Sequence, residues 1–344
     1  MAWYDNDWSN RFKVTIDNTK VSADLTDYTV YLELADIGAG HGFWGNVNSD
    51  GSDIRITKSD ETTEVPREIV NIDTTGKTGE VYFKASGTLS STADTDFWVY
   101  YGNAGASEPA ADSTYGSENV WTDYLAVWHL DSVNDSTASG LNGTLTNSAT
   151  IDTSDRAFGS GDSLNVTAGA SDSRMTFTSQ NLTDFTIHSW IKRGSTGSSH
   201  IGVFGDTDYM WWRYYSSTAW RIVWNNSGDK YSGVYWSAVQ GQWINYVWTR
   251  SGSTNTMYVD GSQEDSTWSE GSSIDLSSIG STAFVSINGN FDEVRIATSS
   301  FSSDWVSTNN NNQSDSSNFY TIGAEESGGG GGAADDAVFY GCNF

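Results

Sequence analysis

The chain has 344 residues, with 17 Lys and Arg against 44 Asp and Glu, for a formal charge of −27. A field of that sign repels phosphate backbones and anionic headgroups, which argues against nucleic acid or a membrane surface as a partner. Aromatic residues make up 14% of the chain beside only 2 Pro, and with abundant Gly, Ser and Thr this is the composition of an all-β sandwich protein.

Near the start, "RFKVTID" alternates Phe12, Val14 and Ile16 toward one face, and "YTVYLEL" does the same with Tyr28, Val30, Leu32 and Leu34. "SDIRITKSD", "GEVYFKAS" and "DFWVYYGN" continue the pattern between turn-rich stretches. "GHGFWG" after Gly40 spells a G-x-G-x-x-G without a surrounding βαβ unit, and reads as a loop with Phe43 and Trp44 as apolar anchors. This gives a first β domain over 3–105, followed by a linker over 106–119. A second run of strands, from "YLAVWHL" to "FDEVRIA", predicts a large antiparallel sandwich over 120–323, with a tight turn at Asp260-Gly261. One short helix is expected at "SSDWVSTNNNN", capped by Ser302 or Ser303. Residues 324–344 read as a Gly-rich spacer and an apolar docking peptide, in which Val338, Phe339, Tyr340 and Phe344 are the anchors for assembly.

No run of eighteen apolar residues occurs, so no membrane insertion is expected. The N-terminal "MAWYDNDWSNRFKVTID" has neither a basic patch nor an apolar core, so no signal peptide is expected and synthesis in a host cytoplasm follows. The lone Cys342 rules out an intrachain disulfide framework.

The pieces "AVWHLDSVNDSTASGLNGT", "FTIHSWIKRG", "QWINYVWTRSGSTNTMYVDG" and "NGNFDEVRIATSSFSSDWV" resemble, in order and spacing, the laminin-G-like, concanavalin A-like lectin/glucanase sandwich. "WYDNDWSNRFKVTI", "GSDIRIT", "VPREIVNID" and "FWVYYGN" resemble a small β domain of unknown function often found ahead of such lectin-like domains. The resemblance implies a fold that serves glycan binding, adhesion, virion fibres and enzyme accessory modules alike.

A retaining hydrolase needs two carboxyls close together on one face. Asp292 and Glu293 are adjacent and should point to opposite sides, with Arg295 completing a structural polar cluster, so no enzyme is expected. His129 and His188 each lie beside a tryptophan and read as hydrogen-bonded sheet residues. Calcium is expected at Asp131, Asp135 and Asp292, as the resemblance implies, with an Asx-turn at Asp135 as the alternative. The densest aromatic stretch, "YMWWRYYSSTAWRIVWNN", sets Tyr209, Trp211, Arg213 and Tyr215 on one face of a strand, a platform for sugar rings or for a partner subunit.

The combined expectation is a virion-type surface protein, such as a phage tail fibre, head fibre or decoration subunit. It would display a lectin-like domain to cell-surface glycans and join a homo-oligomer or other virion proteins through its tail. The alternatives are a microbial cell-surface or secreted, extracellular adhesin and a polysaccharide-degrading enzyme.

Overall fold

The computed structural model describes residues 3–167, 173–194, 201–205, 210–215, 219–224, 229–231, 240–280, 285–286 and 288–328. For 201–202, 210–215, 219–224, 229–231, 265–266 and 285–286 the description covers the backbone alone.

Alternation of apolar residues builds the first domain as expected. Its larger sheet runs in the order Tyr320–Ile322, Asn10–Ile16, Thr95–Tyr101, Arg55–Lys58, Glu64–Val65. A second sheet packs across it, in the order Thr29–Glu33, Thr78–Lys84, Arg67–Asp73. Phe12, Val14, Ile16, Ile56 and Val99 from one sheet meet Val30, Leu32, Val81 and Phe83 from the other in a continuous core. Phe43 and Trp44 are buried in it from a single helical turn, Phe43–Asn46.

The smaller sheet departs from simple alternation. Every residue of Thr29–Glu33 is buried, and so is all of Thr78–Lys84 beyond its first residue. One face fills the first domain's core; the other, with Tyr31, Glu33, Glu80 and Tyr82, is covered by the second domain. The sheet is therefore the middle layer of the molecule.

The second domain is a sandwich whose main sheet runs Thr150–Asp152, Ser163–Val166, Gly289–Ala297, Phe185–Arg193, Trp243–Ser251, Thr254–Val259, Ser262–Ser269, with Ala126–Trp128 also paired to Gly289–Ala297. The facing sheet runs Thr144–Thr146, Arg174–Leu182, Ile274–Ile279, Phe204–Gly205. Trp128, Leu164, Phe185, Trp248, Leu276 and Phe291 are among the side chains that close the core between them. Asp260 and Gly261 both take positive φ, 46° and 75°, as the expected hairpin turn requires. A separate three-stranded sheet is formed by Met210–Tyr215, Ala219–Trp224 and Asp229–Tyr231.

The expected helix spans Ser303–Ser314, with the Ser302 hydroxyl accepting from the Trp305 amide at 3.2 Å and Asp304 in the first turn. Its Asn-rich sequence has a structural reason. Asn312 accepts from the Tyr31 amide and donates to the Tyr31 carbonyl, both at 2.8 Å, and so covers the edge strand Thr29–Glu33 as a neighbouring strand would. Asn309 and Gln313, one turn apart, reach into the second domain toward His188 and Trp190.

Beyond the helix the chain re-enters the first domain. Tyr320–Ile322 pairs with Ile16, Thr15 and Val14, and Glu326–Ser327 pairs with Arg11 and Asn10. Residues 315–327, which the sequence divides between sandwich and linker, thus close the first domain's sheet, and the second domain is inserted between its strands. Phe319, fully buried in the first core, anchors the return. Phe319→Ala should lower the stability of the first domain by about 3–5 kcal/mol in chemical denaturation; an unchanged midpoint would show that the returning segment contributes nothing to that core.

Candidate functional site

The two domains meet on a polar face, and its residues come from strands that the hydrophobic pattern alone would leave exposed. Arg295, 1% exposed, projects from Gly289–Ala297 and lies over the rings of Tyr82 and Trp121, 5.0 Å from each centroid. Its charge is met by Glu293, whose Oε2 is 2.5 Å from Nη2. The other oxygen of Glu293 is 2.6 Å from His129 Nδ1, and His129 Nε2 is 3.2 Å from Glu68 Oε2 of the first domain. Glu68 also accepts from Ser136 Oγ at 2.7 Å and from the Trp121 indole. The result is a continuous chain of alternating charge, Arg295–Glu293–His129–Glu68, that crosses the junction.

The electrostatics follow from that order. Burial opposes a charge on His129, but Glu293 and Glu68 outweigh it and hold the imidazole well above its ordinary value, so both ring nitrogens donate. Burial likewise opposes ionisation of Glu293, but His129 and Arg295 overcome it and keep it a carboxylate. His188 contrasts with His129: burial, then Arg295, lower its value to about 3, and its neutral Nε2 lies 2.8 Å from Asn245 Nδ2.

Glu80 sits deeper in the same face. Its Oε1 accepts from the Ser160 and Gly161 amides at 2.6 and 2.5 Å. Burial, reinforced by Glu293, Asp131 and Glu33, nevertheless pushes its carboxyl up to about 8. Gly159 makes the approach of this loop possible: at φ +63° it lies against Tyr31, Glu33 and Glu80, where a Cβ would collide with all three.

The expected separation of Asp292 from Glu293 is corrected here. The register against Phe185–Arg193 shifts between His188 and Trp190, and Glu293 takes φ 49° in the resulting bulge. Both acids are buried, in the bulge between the core residues Phe291 and Val294; Asp292, raised by burial and then by Glu293, also feels Glu80 and Asp131, and accepts from the Ala157 amide at 2.8 Å.

The aspartates expected to hold calcium are engaged by the protein itself. Asp135 folds its own loop, accepting from the Val127, Thr137 and Leu141 amides at 2.9, 3.0 and 2.8 Å, which is the Asx-turn alternative extended. Asp131 accepts from Asn71 Nδ2 at 3.0 Å and the Asp162 amide at 2.6 Å. Among the described residues no group of three or more His, Cys, Asp or Glu is placed to hold a metal ion, so Asp131, Asp135 and Asp292 do not converge on one. Of the aromatic platform, Tyr209 lies outside the described residues. Trp211, Arg213 and Tyr215 are on the strand Met210–Tyr215, with backbone partners Val223, Arg221 and Ala219, and their side chains lie outside the description. The tail anchors Val338, Phe339, Tyr340 and Phe344 also lie outside the described residues.

Two family models match parts of the chain. Residues 167–307 match the model of the concanavalin A-like lectin/glucanases superfamily. The second domain is concanavalin A-like. Residues 50–140, which include Arg67–Asp73 and Thr78–Lys84 of the middle layer and run on into the second domain, match a domain of unknown function, DUF2341. Among solved structures, domain 4 of AbnA, a GH43 extracellular arabinanase from Geobacillus stearothermophilus, in complex with arabinotriose, is 15% identical, with 54% of this chain and 97% of that one covered and a TM-score of 0.45. The botulinum neurotoxin serotype D ligand-binding domain in complex with N-acetylneuraminic acid is 12% identical, with 55% and 50% covered and a TM-score of 0.42. The binding domain of Paraclostridial Mosquitocidal Protein 1 is 14% identical, with 55% and 52% covered and a TM-score of 0.40. The chain thus spans about half the length of the two toxin domains. No curated protein matches it in sequence.

The raised Glu80 sets a pH dependence with a definite sign. The folded state holds its proton up to about pH 8, the unfolded state only up to the ordinary value of 4.5. Its contribution is therefore full below the lower value and is lost as pH rises through the upper one. Glu80→Gln keeps the acceptor for the two amides and should flatten the fall in unfolding free energy between about pH 5 and 8. Denaturation at stepped pH measures this, and an unaltered slope would contradict the assignment.

Proposed function

We propose that the protein is a non-enzymatic surface protein of a virion, of the tail fibre, head fibre or decoration type, whose concanavalin A-like domain adheres to cell-surface glycans. The observation that carries the glycan reading is the extra hairpin. Met210–Tyr215, Ala219–Trp224 and Asp229–Tyr231 form a ribbon that belongs to neither sheet of the sandwich, and it carries the densest aromatic stretch of the chain. On a two-residue period Trp211, Arg213 and Tyr215 share one of its faces. Aromatic faces beside polar tips suit the apolar faces and hydroxyl edges of sugar rings.

The non-enzymatic reading is supported by the fate of the second domain's acids. Asp292 and Glu293 are at most 4% exposed and Asp131 is bonded to Asn71 of the first domain, so the two buried acids are not presented to a polymer. The virion reading rests on the high negative charge and on the Gly-rich spacer that precedes an apolar terminal peptide, a composition suited to tethering one subunit to another. In this reading the first domain and the returning strand form the base from which the lectin-like domain is held outward.

Trp211→Ala should weaken retention on immobilised glycans by about tenfold with the melting temperature unchanged, the loss expected for one stacking contact. A fall of several degrees in melting temperature would instead place the side chain in a core and remove the platform.

A further inference from the structure

The first domain's larger sheet ends on an open edge. Tyr320–Ile322 is its outermost strand, paired with Asn10–Ile16 on one side, and among the described residues no strand pairs with its other side. The register decides which backbone groups lie there. The Asp17 amide donates to the Phe319 carbonyl at 3.0 Å, and the Gly323 amide to the Lys13 carbonyl at 2.8 Å. Residues 319, 321 and 323 therefore turn their backbone groups toward Asn10–Ile16, and residues 320 and 322, between them, turn theirs outward. The Tyr320 amide is used, since it donates to the Ser316 carbonyl. What stays open is the N–H and C=O of Ile322 and the C=O of Tyr320, the groups that a further antiparallel strand would bond.

A recess of about 380 Å³ lies beside this edge, and its lining includes Asp36, Ile37, His41, Ser317, Tyr320 and Ile322. Ile37 is buried in the first core and Ile322 packs against that core, so part of the lining is apolar. The polar side chains are already engaged. Asp36 accepts from Ser316 Oγ at 2.7 Å and from the Tyr320 hydroxyl at 2.8 Å, and His41 Nδ1 accepts from the Phe43 amide at 3.1 Å. With those side chains paired inside the protein, the recess offers a bare strand edge beside apolar surface. Its complement is an extended peptide with apolar side chains.

The chain carries such a peptide within reach. Residues 329–344 lie outside the described residues and contain the run Ala337, Val338, Phe339, Tyr340. Gly328, the last described residue, is held at the far end of the same edge, its amide donating to the Ser9 carbonyl at 2.8 Å. Ile322 and Gly328 are six positions apart, which along an extended strand is about 20 Å. Gly328 and Val338 are ten positions apart, and a Gly-rich segment of that length has a root-mean-square span of about 17–19 Å. A linker whose span matches the distance to its site gives the highest effective concentration there, on the order of millimolar. In dilute solution the tail of the same chain therefore outcompetes the tail of a second copy.

We propose that residues 337–344 add to this edge of their own chain as an antiparallel strand, with Val338 beside Ile322 and Tyr340 beside Tyr320. On a two-residue period Val338 and Tyr340 share a face, which covers Ile37 and Ile322 and brings Cys342 to the Ser317 end of the recess. The inference concerns the free chain and does not depend on the virion reading. It adds a condition to that reading, since a tail docked in this way must leave its own edge before it can join another subunit.

The test uses the full chain and first alters the tail alone, so the fold of the body is not at stake. Hydrogen exchange at the Ile322 amide is compared between the native chain and the double variant Val338→Asp, Tyr340→Asp at dilute protein. Exchange in the native chain should be slower by about tenfold. Equal rates in the two chains overturn the proposal. In a second experiment Ser317→Cys, at an exposed position, is oxidised in the presence of the native Cys342. A disulfide within one chain, formed at a rate independent of protein concentration, is the expected result. Disulfides formed only between chains overturn the proposal and leave the tail standing as a tether between subunits.

Discussion

A guanidinium enclosed between two β-sheets must be neutralised where it stands, and much of this molecule is arranged around that requirement at Arg295. Glu293 reaches it only because a bulge turns the backbone at that residue to φ 49°. Glu293 then holds a charged His129, and His129 in turn binds Glu68 across the junction. The neighbouring rings of Tyr82 and Trp121 lie together against the cation, each centroid 5.0 Å from it. Replacing such a network wholesale by apolar residues is often neutral, whereas removing a single partner costs about 3–5 kcal/mol. Its contribution is therefore read from geometry: each charge in the chain has its partner in this placement of the two domains.

Two further features hold that placement. The polar helix Ser303–Ser314 binds the edge of the middle sheet through Asn312 and the second domain through Asn309 and Gln313. The chain then returns to complete the first domain's larger sheet with Tyr320–Ile322. A domain inserted between two strands of another is tethered at both ends, which limits how far the two can move apart. The same geometry leaves a recess at the junction rim, lined by Tyr31 and Glu33 of the first domain, Arg156 and Phe158 of the second, and the end of the helix.

Much of this was legible in the sequence, and the boundary of legibility has a physical cause. Period-two alternation identified the core faces, as at Phe12, Val14 and Ile16, because burial on one side leaves a strong pattern. The helix cap at Ser302 and the turn at Asp260-Gly261 are local chemistry and could be read directly. The junction could not. Tyr31, Glu33, Glu80 and Tyr82 occupy the face that alternation assigns to solvent, and only the alternation of aromatic with acidic residues there hinted at a second covering layer. The bulge at Glu293 depends on its partner strand, so alternation alone sends two adjacent acids to opposite faces that the structure buries near enough to raise Asp292. The return of 320–327 to the first strand is a pairing across nearly the whole chain, with no local mark. Asp135 shows the opposite case, where the local turn chemistry read from the sequence is the arrangement the structure has.

The central claim is that the junction makes the two sandwiches one cooperative body. Scanning calorimetry of the full chain tests it most directly. The account predicts a single transition in which the calorimetric and van't Hoff enthalpies agree. Two separated transitions, one for each sandwich, would show that the buried charge chain and the returning strand do not couple them, and would contradict it.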